Sequence, residues 1–411
     1  MIVFIAATVI TVLTLLYLLS SPQQTEMTSN TTTSRQRSSS AGVHTTNDHP
    51  LLLDRYIWNA TRDSSRSDNN AAAATDDDDD NFQPKHTLSI RPILSQTRKN
   101  RILLYNGCFN PPHRGHLAHL THAYRHGGAD LDVVGAFVLV AGDQYLRWKL
   151  ARSTTFLLKE SQRVRLWAEE LNSGGGGGAA DWTWVLREND WPRIVDRLGK
   201  LFARDGLDVE FVRLAGGDKA RLGHVQHGVW GCRMTLTTDV SRPLDFYEGG
   251  REKPVRLQRH GPWTVVQEVK REEIEAPEDG GTDPCRDFMN KKRTKLAAKK
   301  AAKAKRKAVD DRNGRRVWQC SVTPFTGSSP YTLRLVTSDA ADRVPPDLSS
   351  TKLRAIIAND ANGLTAKQLE DMLRPMALGP RLLARYVVEE KEDEEREERE
   401  GNLPRKKPRV G

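Results

Sequence analysis

Two short stretches carry side chains suited to holding and activating a phosphate. The first is Gly107-Cys-Phe-Asn-Pro-Pro-His-Arg-Gly-His116. His113 and His116 are three residues apart, so once a helix begins here they can point into one site. Gly107 lets the backbone come close to a ligand. Pro111 and Pro112 stiffen the turn. The second stretch is Leu348-Ser-Ser-Thr-Lys-Leu-Arg354. Ser349 or Ser350 can cap a following helix, with Arg354 on its first turns. Hydroxyls, free N–H groups and a guanidinium fork together make a phosphate cradle.

These residues need a scaffold that brings them to one place. Apolar Ile102 to Tyr105 reads as a strand, Asn106 and Gly107 as a turn, and Leu117-Ala-His-Leu120 as the opening of a helix to about Gly127. The histidines therefore sit on a strand–loop–helix junction, where a helix N-terminus offers N–H groups and a positive dipole end to an anion. Further strands are predicted at Val133 to Val140, Trp182 to Leu186, Val209 to Leu214 and Met234 to Thr238, with helices from about Ser161 and up to about Arg204. Val317 to Thr323 and Thr332 to Thr337 read as late strands. Alternating strands and helices imply right-handed crossovers and a parallel sheet. Ligands bind beyond the carboxyl ends of such strands, and the segments 107–116, 142–149, 216–218 and 349–354 all fall at strand ends or helix starts.

The first stretch resembles the HxGH signature of the nucleotidylyltransferase superfamily, and the second resembles its ISSTxxR motif with Leu348 for isoleucine. Within the superfamily the chain is most similar to eukaryotic-type nicotinamide or nicotinate mononucleotide adenylyltransferases, over about residues 101–245 and 315–388. Gly142-Asp-Gln-Tyr145 followed by Lys149 resembles that family's segment against the mononucleotide. Gln162-Arg-Val-Arg165 resembles its helix start, and Asp190-Trp191 its tryptophan that stacks on the nicotinamide ring. Gly216-Gly-Asp218 resembles its G-x-D, whose aspartate holds the adenosine ribose. The resemblance implies an α/β fold: a Rossmann-like parallel-sheet nucleotidylyltransferase domain. It implies His113, His116 and Arg354 as catalytic residues, and Gly107, Phe109, Gly216, Asp218, Ser350, Thr351 and Lys352 as ATP-binding. Lys149, Trp191, Trp230 and Arg242 would bind the mononucleotide. The substrates would be ATP, with Mg²⁺ bridging its phosphates, and a pyridine mononucleotide. The substrate phosphate is itself the nucleophile, so Cys108 reads as a small filler in the turn. No residue is assigned as a metal ligand. The chain departs from the family in having Leu-Arg-Trp-Lys149 where a lysine-rich stretch is expected.

Hydrophobic residues make up 37% of the 411-residue chain, low for one wholly globular domain. The domain is therefore expected at 87–248 and 315–390, around a basic low-complexity insertion at 249–314. Residues 1–20 read as a transmembrane anchor, with a cleaved signal or a misassigned gene start as the alternatives, since 2–19 form an uncharged apolar run just long enough to span a bilayer. Residues 21–86 read as a disordered linker and 391–411 as a charged tail. The first cations after the apolar run, Arg35 and Arg37, favour a catalytic domain facing the cytosol. If the anchor is not used, Pro404-Arg-Lys-Lys-Pro-Arg409 resembles a nuclear import signal. The net charge of +10 concentrates in 291–307, with ten Lys or Arg and no acid, which reads first as a solvated insertion and second as a segment for nuclear import, nucleic acid or acidic lipid. Four cysteines without metal-ligand spacing suit reduced thiols. A homo-oligomer is left open. One alternative is a cytidylyltransferase for phosphocholine or phosphoethanolamine, which suits an anchor but carries a different C-terminal motif. A second is a catalytically degenerate nucleotide-binding module, against which intact His113, His116 and Arg354 count.

Overall fold

Ile102, Leu103 and Leu104 are all fully buried, and a strand apolar on both faces must be covered on both. The structure, a computed structural model, describes residues 50–62, 92–150, 156–173, 178–217, 219, 231–247, 253–268, 315–322, 331–339, 341–345, 348–360 and 363–401. The expected anchor, the basic run at 291–307, Asp218 and Trp230 lie outside them. Among the described residues no helix is long and apolar enough to cross a membrane.

The core is an eight-stranded sheet in the order β3-β2-β1-β4-β5-β8-β7-β6. Its strands are β1 (Asn100–Gly107), β2 (Val133–Val140), β3 (Thr183–Arg187), β4 (Val209–Leu214), β5 (Met234–Thr238), β6 (Thr264–Glu268), β7 (Arg316–Val322) and β8 (Tyr331–Val336). The helices are α1 (Leu53–Thr61), α2 (Arg114–His126), α3 (Asp143–Leu150), α4 (Glu160–Asn172), α5 (Trp191–Arg204), α6 (Ser350–Asp360), α7 (Ala366–Leu373) and α8 (Pro380–Gly401). The period of two along a strand sorts its side chains between the layers. Leu103 and Tyr105 join a cluster with Leu120 of α2 and Trp167 of α4. Ile102 and Leu104 join one with Ile57 of α1 and Leu198 of α5. A third cluster joins α6, α7 and α8 to Phe156, Leu158 and Leu166.

β3, β2, β1, β4, β5 and β8 pair in parallel, as the alternation of elements implies. β8–β7 and β7–β6 pair antiparallel. Only eight residues separate Val322 from Tyr331, too few for the crossover that a parallel neighbour requires. Two elements fall outside the segments expected to form the domain. β6 lies within the segment read as insertion, with Val265 46% and Val266 39% exposed on the sheet's edge. α1 lies within the segment read as disordered, yet Leu53, Tyr56, Ile57 and Ala60 are buried against the core.

Candidate active site

β2 lies on one side of β1 and β4 on the other, so strand order reverses at β1 and leaves a crevice beyond the carboxyl ends. A cleft of about 480 Å³ opens there. Gly107 at the end of β1, Gly216 and Gly217 after β4, and Thr238 at the end of β5 line it. Lys149 and Leu150 reach it from α3, and Ser350, Thr351 and Arg354 from the start of α6. His113, His116, Phe109 and Arg242 complete the expected residues that the fold gathers here.

The histidine loop is held by its own side chains. The backbone N–H of His113 donates to Nδ1 of His116 at 3.1 Å, half of a capping box at the α2 N-terminus. With Nδ1 accepting, neutral His116 carries its proton on Nε2 and can donate from there. The two rings stack with centroids 3.6 Å apart. Gly115 makes this possible: a Cβ there would meet Nδ1 of His113 at 2.9 Å. A Cβ on Gly107 would likewise stand 2.9 Å from the Phe109 ring, which packs edge-on to His116 at 5.0 Å. Phe109 takes a φ of 48° to do so, a left-handed conformation uncommon outside glycine.

The second motif grips the first. Arg354 donates to the carbonyl of Asn110 at 2.6 Å and to Thr351 Oγ1 at 3.2 Å. Ser350 donates to the carbonyl of Pro111 at 2.8 Å. Ser349, not Ser350, caps α6, accepting from the N–H of Lys352 at 3.2 Å. From the other side Arg163, fully buried on α4, donates to the carbonyl of Cys108 at 2.7 Å and to Asp143 Oδ1 at 2.7 Å. One buried guanidinium thus ties the loop to the start of α3.

Cations dominate the wall, with Lys149, Lys219, Arg242 and Arg354 against Asp245. Burial, with Arg242 adding to it, pushes His113 down to about 3. Burial holds His116 well below the usual histidine range, reinforced by His113, Arg242, His119 and Lys149. Both imidazoles are neutral at pH 7, so each donates through one nitrogen. The arrangement can take a polyanion at a helix N-terminus and point a neutral imidazole N–H at it.

Two expected residues stand elsewhere. Trp191 is fully buried, 5.2 Å from Phe137 and 5.3 Å from Phe211 between ring centroids. Its expected stacking on a pyridine ring is corrected: the core seals the indole, and it does not line the cleft. Lys352 is exposed on α6 and is absent from the lining. Other residues were not foreseen. His119 lines the cleft with Nδ1 2.9 Å from Thr238 Oγ1, and its i+3 spacing from His116 was the available signal. Asn110 braces the loop, donating to the carbonyl of Phe156 and accepting from the N–H of Leu158. Half-buried Cys108 also lines the cleft, and Cys108 and Cys320 are free thiols.

Residues 104–167 match the family model for cytidylyltransferase-like proteins. That span runs from β1 through both histidines into α4. No curated protein matches the chain. The match supports the nucleotidylyltransferase superfamily, a transferase acting on a nucleoside triphosphate and a second substrate.

Proposed function

We propose that the chain transfers the adenylyl group of ATP to nicotinamide or nicotinate mononucleotide, giving NAD or its deamido form and pyrophosphate. The observation that carries this reading is the convergence of His113, His116, Lys149, Arg242 and Arg354 on one cleft at the switch point. An oxygen of the acceptor phosphate attacks the α-phosphorus of ATP. The bond from that phosphorus to the bridging oxygen breaks, and pyrophosphate leaves with the electron pair. The protein supplies position and charge neutralisation and no nucleophile. Nε2–H of His116 donates to the phosphate oxygens, where charge accumulates. Arg354, Thr351 and the N-terminus of α6 hold the β- and γ-phosphates, while Lys149 and Arg242 receive the acceptor's phosphate. Mg²⁺ enters with the triphosphate, in keeping with a lining whose acid among the described residues is Asp245.

The family match equally favours a second reading, cytidylyl transfer from CTP to phosphocholine or phosphoethanolamine. Pyrophosphate release separates the two. The full chain is given Mg²⁺-ATP with either mononucleotide, and Mg²⁺-CTP with either phosphoalcohol. Release with ATP and a mononucleotide alone is the expected result; release with the CTP pairs alone overturns the substrate assignment. Absence of release from all four leaves a nucleotide-binding module. In the active pair His116→Ala should lower kcat on the order of 10²–10³-fold with the fold intact. Wild-type turnover in that variant would remove the imidazole from the mechanism.

A further inference from the structure

α2 carries the histidine loop at its N-terminus, and its other end holds a second group of ligand atoms that the cleft does not use. His122 and His126 stand four residues apart on α2 and share a face. Asp342, in the connection from β8 to α6, meets that face. Each of the three offers one ligand atom, and these atoms lie within 4.8 Å of one another. None of the three lines the cleft. Hydrogen bonding fixes where their lone pairs point. Buried His122 has Nε2 3.2 Å from the carbonyl of Thr337. A carbonyl only accepts, so Nε2 carries the proton and the neutral ring keeps a lone pair on Nδ1. That Nδ1 stands 4.0 Å from Asp342 Oδ2, one acceptor facing another. His126 Nδ1 lies 3.3 Å from Nη1 of Arg315, which only donates, so it too presents a lone pair. A backbone carbonyl on the far nitrogen is the arrangement that orients metal-binding imidazoles.

Arg315 supplies the positive charge that these acceptors require. Its Nε donates to Asp342 Oδ2 at 3.1 Å and lies 3.2 Å from Asp339 Oδ2. The guanidinium is partly exposed, so it can swing aside and stay paired with Asp339. The C-terminal end of α2 favours a cation through the helix dipole. Two imidazoles and a carboxylate suit a borderline divalent ion, with water in the fourth position. Bonds of about 2.0–2.1 Å need ligand atoms about 3.4 Å apart, a closure of roughly 1 Å. We propose that His122, His126 and Asp342 bind a divalent ion of the Zn²⁺ class in place of the Arg315 guanidinium. The ion ties the end of the helix that carries His116 to the connection that leads into Ser349–Arg354. This site stands whatever the cleft transfers.

The test is metal binding by the full chain, stripped with a chelator and held at neutral pH without nucleotide. Zn²⁺ affinity is read by competition with a chromophoric chelator, and Co²⁺ serves as the visible-spectrum probe. His126→Ala and Asp342→Asn change partly exposed side chains, and each should weaken Zn²⁺ binding at least about tenfold. His126→Cys should keep the ion and add a sulfur-to-cobalt charge-transfer band, which a merely structural role for His126 would not produce. Arg315→Ala should bind Zn²⁺ about threefold tighter, since the ion no longer has to break a partly exposed ion pair. Zn²⁺ should raise the melting temperature of the wild-type chain and leave that of His126→Ala unmoved. No Zn²⁺ binding by the wild type, wild-type affinity in both His126→Ala and Asp342→Asn, or Co²⁺ bound to His126→Cys without the sulfur band overturns the proposal. Binding lost in His113→Gln but kept in His126→Ala places the ion in the cleft and overturns it as well.

Discussion

Among the described residues, His113 has two buried ring nitrogens that meet no protein partner. Burial holds it neutral, with a pKa of about 3 against an unfolded value near 6.5. His122, buried at the far end of α2, is pushed the same way to about 4, again chiefly by burial. In both cases the unfolded chain binds more protons between the two values. Stability is then full above about pH 6.5 and lost as pH falls, by about 1.4 kcal/mol per pH unit for each group. Urea denaturation at pH 6.5 and pH 5 should show a loss of about 2 kcal/mol per histidine. His113→Gln should flatten that fall by about one histidine's share, and an unchanged slope would show that the fold does not hold this ring neutral. Residue types and local spacing pointed to the histidine pair, because neighbours in the chain fix it, whereas Lys149 and Arg242 came only from the family resemblance and Lys219 from neither. Residue types and spacing did not foretell the neutral state of the rings, which comes from burial by distant elements. Nor did they separate an exposed tryptophan from one that fills a core: Trp191 is sealed between Phe137 and Phe211, whereas Trp148 stands exposed.

Elements were legible where they followed the strand–helix alternation of the domain. β2, β4, β5 and α5 fall close to where alternation and amphipathic spacing placed them. α1 was obscured by its surroundings, a short helix between low-complexity stretches, although Leu53, Tyr56, Ile57 and Ala60 have the spacing of one helical stripe. β6 was hidden by its setting, since Val265 and Val266 sit in a segment whose charged composition reads as an insertion. α1 packs against α5, and Tyr56 donates to Asp205 at 2.6 Å. It is therefore part of the folding unit rather than of a tether. Ile57→Ala should cost about 2–5 kcal/mol through lost burial and a residual cavity. Tyr56→Phe should cost about 1 kcal/mol, the net worth of one hydrogen bond. Guanidinium midpoints measure both, with pyrophosphate release at 20 °C nearly unchanged since α1 lies across the sheet from the histidine loop. A cost below about 1 kcal/mol for Ile57→Ala would place the helix outside the cooperative core.

The molecule as a whole closes the site by clamping one loop between distant parts of the chain. Arg354 and Asn110 are 244 positions apart yet share a 2.6 Å bond. Pro112 accepts from the N–H of Leu378, and Met376 from that of Arg114. The histidine loop is thus wedged between the sheet and the α6–α8 cluster, and a triphosphate held by both sides would cross-link them. A ligand that binds only the folded chain stabilises it by mass action, about 2.7 kcal/mol at a hundred times its Kd. Mg²⁺-ATP should therefore raise the melting temperature of the full chain. Arg354→Ala should lower the ligand-free value slightly, by losing the bond to Asn110, and should abolish most of the rise with ATP. Arg354→Lys keeps a charge but not the planar fork, and should retain an intermediate rise. Comparing the rises, not the absolute melting temperatures, separates clamping from phosphate binding. A full rise in Arg354→Ala would mean that the triphosphate is held by the α2 side alone, with α6 serving only to brace the loop.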